Sequence, residues 1–322
     1  MSWFFAGWDP RIRLTLALDH HSVIIMLDKL TSLMLRHAPV DGMHDCALPG
    51  VTLIRSSTPT TPMPAVYEPS ICVMAQGSKQ VLAGEQILNY DSTRYLIAAV
   101  DVPAVGAVTG ATAERPYLCV YYRFNRPELT KLALRVDAAV RQGGTAGALR
   151  GLAVHDTTPQ LVDAFTRLVA LLDTPADIEA LAPLIEQEII YRLATGPARA
   201  VMRHIATGDR SLNQVSRAIG WIKDHYREPI TIDVLAEQAG MSPSSLHAHF
   251  KSITHLSPIQ YRARLRLQEA RRLMVAEGMD AAQAAFKVGY DSASQFSREY
   301  GRLYAEAPAT DASRLRGRAA VM

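Results

Sequence analysis

Apolar positions along the chain follow two different rhythms. From Leu48 to Phe124 they come in short runs rich in β-branched and aromatic residues: Val51–Ser56, Ile71–Gln76, Lys79–Ala83, Gln86–Tyr90, Thr93–Val100 and Tyr117–Phe124. Gly77-Ser78 and Gly84-Glu85 sit between runs at hairpin spacing. Many short strands with tight turns predict a small barrel or sandwich. The proline cluster within 59–69 reads as a loop leading into it. Elsewhere the rhythm is helical. Residues 28–38 predict a short helix with Leu30, Leu33, Met34 and His37 on one face. Thr158-Pro159 starts another, with Leu161, Phe165, Leu168, Val169 and Leu172 at helical spacing. A third runs from about Ala176 to Leu193 along a stripe of Leu181, Leu184, Ile185, Ile189 and Leu193, which is either core or a subunit interface.

The last third contains one pattern twice, about fifty residues apart: a short amphipathic helix, a glycine turn, a second helix. The first unit begins at Thr231 and turns at Gly240; the second begins at Asp280 and turns at Gly289. Ser242-Pro243 restarts the chain as a helix, and Asp291 or Ser292 does so in the second unit. Such a pair of helices is a helix-turn-helix, whose second helix fits a DNA major groove. In the first unit Leu246, His249, Phe250 and Ile253 point inward; Ser244, His247, Ala248 and Lys251 form the opposite, base-accessible face. In the second, Phe296, Tyr300 and Leu303 point inward, against Ser294, Gln295, Arg298 and Arg302. Arg298 is the strongest candidate for paired hydrogen bonds to a guanine. Between the units a long helix from Ile259 to about Val275 carries Arg262, Arg264, Arg266, Arg271 and Arg272. These are expected on a solvated face, with those near its ends in reach of phosphates.

Charge sharpens this division. Of the 322 residues, 211–322 hold 15 Lys/Arg against 11 Asp/Glu, whereas 1–210 hold 19 against 20. The positive excess therefore sits with the duplicated motif, as phosphate binding requires. Three cysteines without a CxxC spacing argue against a disulfide framework or a zinc finger and fit a reducing cytoplasm. The amino terminus is apolar but interrupted by charges, so a signal peptide is rejected and residues 1–25 are expected to be a dispensable extension.

The carboxy-terminal residues Ile232, Leu235, Ala236, Gly240-Met241-Ser242, Leu246, Phe250, Ser257-Pro258, Tyr261, Arg264-Leu265, Ala270, Gly289-Tyr290, Ser292, Phe296-Ser297-Arg298, Tyr300, Pro308 and Arg314-Leu315-Arg316 resemble the DNA-binding domain of the AraC/XylS family over about 211–318. The resemblance implies seven helices with two helix-turn-helix units on one face of the duplex. It carries base contacts to Ser244, His247 and Ala248, and to Ala293, Ser294, Ser297 and Arg298. His255 and Ala305 depart from it, standing where the family often has glycine. Leu48-Pro49-Gly50, Tyr67-Glu68-Pro69-Ser70, Gln76-Gly77, Tyr95-Leu96 and Val100-Asp101-Val102-Pro103 resemble the AraC-type amino-terminal domain, implying a cupin-like β-barrel that senses a small molecule.

The expected architecture is thus α+β: residues 1–46 an extension and helix, 47–126 the effector-sensing barrel, 127–207 a helical linker and dimerisation region, and 208–322 the double helix-turn-helix domain. Candidate effector contacts are Tyr67, Glu68, Cys72, Tyr90, Tyr95, Cys119 and Tyr121. Cys72 and Cys119 read either as buried small hydrophobes or as thiol sensors. The expected function is a cytoplasmic, sequence-specific transcription regulator, more an activator than a repressor. Its partners would be promoter DNA, an effector, RNA polymerase and a second copy of the chain, with no membrane, metal or cofactor. A cupin-like enzyme is the rival from another class; the absence of histidine between His44 and His155 disfavours it. A DNA-binding protein without a ligand is the other alternative.

Overall fold

The computed structural model describes residues 25–125, 129, 150–206 and 210–319. Residues 1–24 of the extension expected at 1–25, and residues 127, 128, 130–149 and 207 of the helical region expected at 127–207, lie outside the described residues. Residues 25–37 form helix α1. Ten strands follow among the described residues: β1 Gly42–Asp45, β2 Val51–Ser56, β3 Met63–Tyr67, β4 Ser70–Gln76, β5 Ser78–Ala83, β6 Gln86–Asp91, β7 Arg94–Ala98, β8 Val102–Gly110, β9 Tyr117–Arg123 and β10 Leu152–Asp156. They make two antiparallel sheets, ordered β1-β2-β9-β4-β7-β10 and β3-β8-β5-β6.

The two sheets do not close into a barrel; they face each other as a sandwich. The strands show why. β4 is buried at nearly every position, on both faces. Ile71, Val73 and Ala75 join a core with helices α2 (Pro159–Ala170) and α3 (Ile178–Thr195). Cys72 and Met74 point the other way, into a core shared with Val81, Ala83, Leu88 and Tyr90 of the smaller sheet. The larger sheet is thus the middle of three layers, with the smaller sheet on one face and helices on the other.

Three strands depart from the expected pattern. The proline-rich stretch contains β3, which tolerates Pro64 because it is an edge strand with a partner, β8, on one side only. β10 lies beyond the span expected for the barrel, yet pairs with β7 from Leu152↔Ala98 to Asp156↔Arg94. β1 likewise extends the sheet before residue 47. Gly77 turns at φ 94°, where an added Cβ would lie 2.5 Å from the Gly110 carbonyl.

Eight further helices follow α3: α4 Arg199–Ala206, α5 Arg210–His225, α6 Ile232–Ala239, α7 Pro243–Thr254, α8 Pro258–Ala276, α9 Ala281–Lys287, α10 Ala293–Tyr304 and α11 Pro308–Ala319. The caps expected from sequence form. Thr231, Ser242 and Ser292 each accept a bond from the backbone N–H three residues on. Ser257 with Gln260, and Asp280 with Gln283, make reciprocal capping boxes. No helix among the described residues is long and apolar enough to cross a membrane.

Candidate nucleic-acid interface and sandwich interior

Helices α6–α7 and α9–α10 are the two helix-turn-helix units. The first turn is built on Gly240 at φ 65°. Its backbone is held from α5: Arg217 donates to the Ala239 carbonyl at 2.7 Å, and Gln214 donates to that of Gly240. Leu246, Phe250 and Ile253 of α7 are buried, with Phe250 edge-on to Tyr261. Ser244, His247, Ala248 and Lys251 are exposed, so the face expected for base edges is open; His249, expected inward, is exposed as well.

In the second unit Phe296 and Tyr300 are buried, whereas Ser294, Gln295, Ser297, Arg298 and Arg302 are exposed and Ala293 is half-buried. Gln295 donates to Glu299 at 3.0 Å, and the Tyr290 hydroxyl donates to the same carboxylate at 2.8 Å. Gln295 must leave that carboxylate to reach a base. Arg298 and Arg302 form no ion pair among the described residues. A guanidinium without an intramolecular partner breaks no ion pair on meeting a base or phosphate.

The arginines of α8 do not form the solvated face expected. Arg262 and Arg266 donate to the carbonyl of Tyr226, at 2.9 and 2.6 Å, and also to those of Glu228 and Arg227. They thereby satisfy carbonyls just past the end of α5. Arg271 makes a forked pair with buried Asp311 at 2.7 and 2.8 Å, and the Tyr300 hydroxyl donates to the same carboxylate. Burial pushes the Asp311 carboxyl up, but these hydrogen bonds outweigh it and hold the group below the ordinary range. Arg272 binds Glu269 and Glu277 in solvent. Arg262 and Arg266 thus tie α8 to the segment after α5, and Arg271 ties it to Asp311 of α11, rather than reaching for phosphates.

The candidate effector residues separate into three places. Tyr67, Cys72, Tyr90 and Cys119 meet in the sandwich interior, and Tyr121 packs at its margin. Tyr95 points to the opposite face of the sheet, into the helical core, with its ring 5.7 Å from that of His155. Glu68 lies in a cleft of about 430 Å³ between the sandwich and α5, near Arg123 at 3.8 Å. Two interior residues escaped the sequence reading. Lys79 shares the inward parity of Val81 and Ala83 on β5, and Tyr117 shares that of Cys119 on β9. Strand alternation was the signal for both. Cys72 and Cys119 are free thiols, 4% and 0% exposed. The Cys119 thiol and burial push the Cys72 thiol well up, a direction that disfavours a ready thiolate there.

Sandwich and first unit share one apolar core. It runs from Tyr117, Leu152 and Val102 to Leu246, Phe250, Ile253 and Tyr261. Polar contacts reinforce it: Gly151 N–H donates to the Ile253 carbonyl at 2.6 Å, the Tyr261 hydroxyl to that of Asp101 at 3.0 Å, and Lys223 to the Asp101 carboxylate at 2.7 Å.

Comparison with known proteins agrees with this geometry. Residues 47–201 match the family model described as AraC-type transcriptional regulator N-terminus, and 235–314 match a helix-turn-helix domain. The HTH-type transcriptional activator RhaS of Salmonella typhimurium is 28% identical over 144 residues, 44% of this chain. That match spans about half the relative's length, 51%. Unsaturated fatty acid bound ToxT from Vibrio cholerae superposes with a TM-score of 0.52 at 12% identity, covering 83% of this chain and 95% of ToxT. ToxT bound to (E)-4-(8-methylnaphthalen-1-yl)but-3-enoic acid gives 0.54 at 10% identity, over 82% and 98%. At such identity the likeness is one of fold.

Proposed function

The chain belongs to the AraC-type transcriptional regulators, and from that premise we propose that it binds promoter DNA sequence-specifically and regulates transcription, as an activator, in response to a small molecule held by the N-terminal sandwich. The observation that carries this reading is the pair of exposed faces on α7 and α10, each backed by a fully buried aromatic residue, Phe250 and Phe296. Ser244, His247, Ala248 and Lys251 would meet one groove segment; Ala293, Ser294, Gln295, Ser297, Arg298 and Arg302 would meet the next. Arg298 would read a guanine, and Ala248 and Ala293 would offer apolar contact to thymine methyls.

The effector would act through the shared core. A ligand that shifts the sandwich interior must shift the seat of α7 and α8, because the same cluster contains both. RNA polymerase is the downstream partner of this reading, the cytoplasm its compartment, and no catalysis is assigned to the chain. Dimerisation would use α3, whose Leu184 and Tyr191 are 61% and 46% exposed while Ile185, Ile189 and Leu193 of the same helix are buried. Substituting Leu184→Lys should convert a dimer to a monomer in analytical ultracentrifugation; an unchanged mass would place the interface elsewhere. The reading itself is tested by electrophoretic shift of duplex DNA with the full chain and with Ser244→Asp/Arg298→Asp. The double variant should lose specific binding while keeping its circular dichroism spectrum. Equal binding by both proteins would move the DNA interface away from these faces.

A further inference from the structure

Resting on that reading of the sandwich as the sensor, we propose that Lys79 and the hydroxyls of Tyr90 and Tyr117 form a receptor for the carboxylate of a small organic acid inside it. Lys79 stands on the inward face of β5, just after a register shift between Ser78 and Lys79. Its ammonium lies 5.6 Å from the centre of the Tyr67 ring. Gly106 of β8 makes this possible: a Cβ there would sit 2.5 Å from the Tyr67 hydroxyl oxygen and 3.0 Å from Lys79 Cε. Any side chain at 106 would displace the pair.

What surrounds the ammonium is rich in donors and poor in acceptors. Among the described residues Lys79 has no carboxylate partner; its neighbours are the Tyr67 phenol and the thiols of Cys72 and Cys119. Burial works against its charge, and those neighbours more than restore it, so it stays an ammonium. Tyr90 and Tyr117 are 2% and 0% exposed, and among the described residues no oxygen or nitrogen acceptor meets their hydroxyls, which face only the thiols of Cys72 and Cys119. Thiols are weak acceptors. Buried donors without acceptors are rare in folded proteins and call for an explanation. One positive charge and two hydroxyl donors match one carboxylate, which is acceptor-only and spreads a single charge over two oxygens. Val81, Leu88, Leu96 and Val108 supply apolar walls for the rest of such a molecule.

The competing explanation is internal: a Cys119 thiolate, favoured by hydrogen bonds from Cys72 and Tyr117, would neutralise Lys79 without any ligand. Thermal unfolding of the full-length protein separates the two. Without ligand, Tyr117→Phe should leave the melting temperature unchanged or raise it. With phenylacetate, hexanoate and cinnamate as probes, each against its primary amide, at least one acid should raise the wild-type melting temperature while its amide does not. Lys79→Met should abolish that rise and Tyr117→Phe should reduce it. Equal protection by acids and amides, or protection by none of the acids, overturns the proposal. DNA binding by the same proteins is measured alongside. Its loss under every condition would count against the regulator reading and leave the thermal result to stand alone.

Discussion

Arg298 is where the account is most exposed at the scale of single residues. Arg298→Ala should cost about 1–3 kcal/mol of discrimination at one base position and leave the others unchanged, as read from a binding matrix of single-base operator variants. Uniform weakening across all sequences would make it a phosphate contact. The outward face of each recognition helix was legible because burial at period 3.6 leaves few choices: Phe250 and Phe296 must go in, so Ser244, His247, Ser294 and Arg298 must go out. Lys79 was not legible, because a lysine in a strand reads as solvent-facing until the parity of Val81 and Ala83 is weighed. The two places where the chain lacks the glycine common in its family proved informative. His255 and Ala305 both adopt left-handed backbone, at φ 60° and 56°. Ala305→Gly should therefore stabilise the protein by about 0.5–1 kcal/mol, through relief of the Cβ clash. A chemical denaturation midpoint that fell would contradict it.

Among elements, the helices were read well because their ends carry local chemistry. Thr158, Thr231, Ser242, Ser257 and Asp280 all cap where expected. Strands β3 and β8 were missed because Pro64, Pro103 and Gly106 mask the pattern. The arginines of α8 could not be assigned from sequence, since their acceptors are backbone carbonyls and Asp311 some forty residues away. That distant pairing yields a further prediction. Asp311→Ala strands Arg271 and should cost about 3–5 kcal/mol, seen as early loss of the second unit on denaturation. The sign with pH follows from the same group. Its folded pKa is depressed, so its contribution is complete above the unfolded value of about 3.9 and disappears as pH falls through the lower folded value. Asp311→Asn should flatten the loss of stability below about pH 4 relative to wild type.

Across the whole molecule, the sequence pattern separated a strand-rich region from a helical one but could not show how they meet. Asp101 and Tyr261 lie 160 positions apart, and neither looks unusual along the chain. Nor could short strands alone decide between a barrel and a sandwich; the pairing decides it, because β1 and β10 edge one sheet and β3 and β6 the other, with no ladder between the sheets among the described residues. The docked arrangement leaves both recognition faces open, so the intact chain should bind DNA without being cut into domains. Binding should weaken steeply with salt, as neutralisation of phosphates requires. The most direct test is selection of duplexes from a random pool by the full-length protein at low ionic strength, repeated with Ser244→Asp/Arg298→Asp. The wild type should enrich two short motifs about one helical turn apart, and the variant should enrich neither. A pool left random by the wild type, or the same motifs enriched by the variant, would contradict the claim that α7 and α10 together read the double helix.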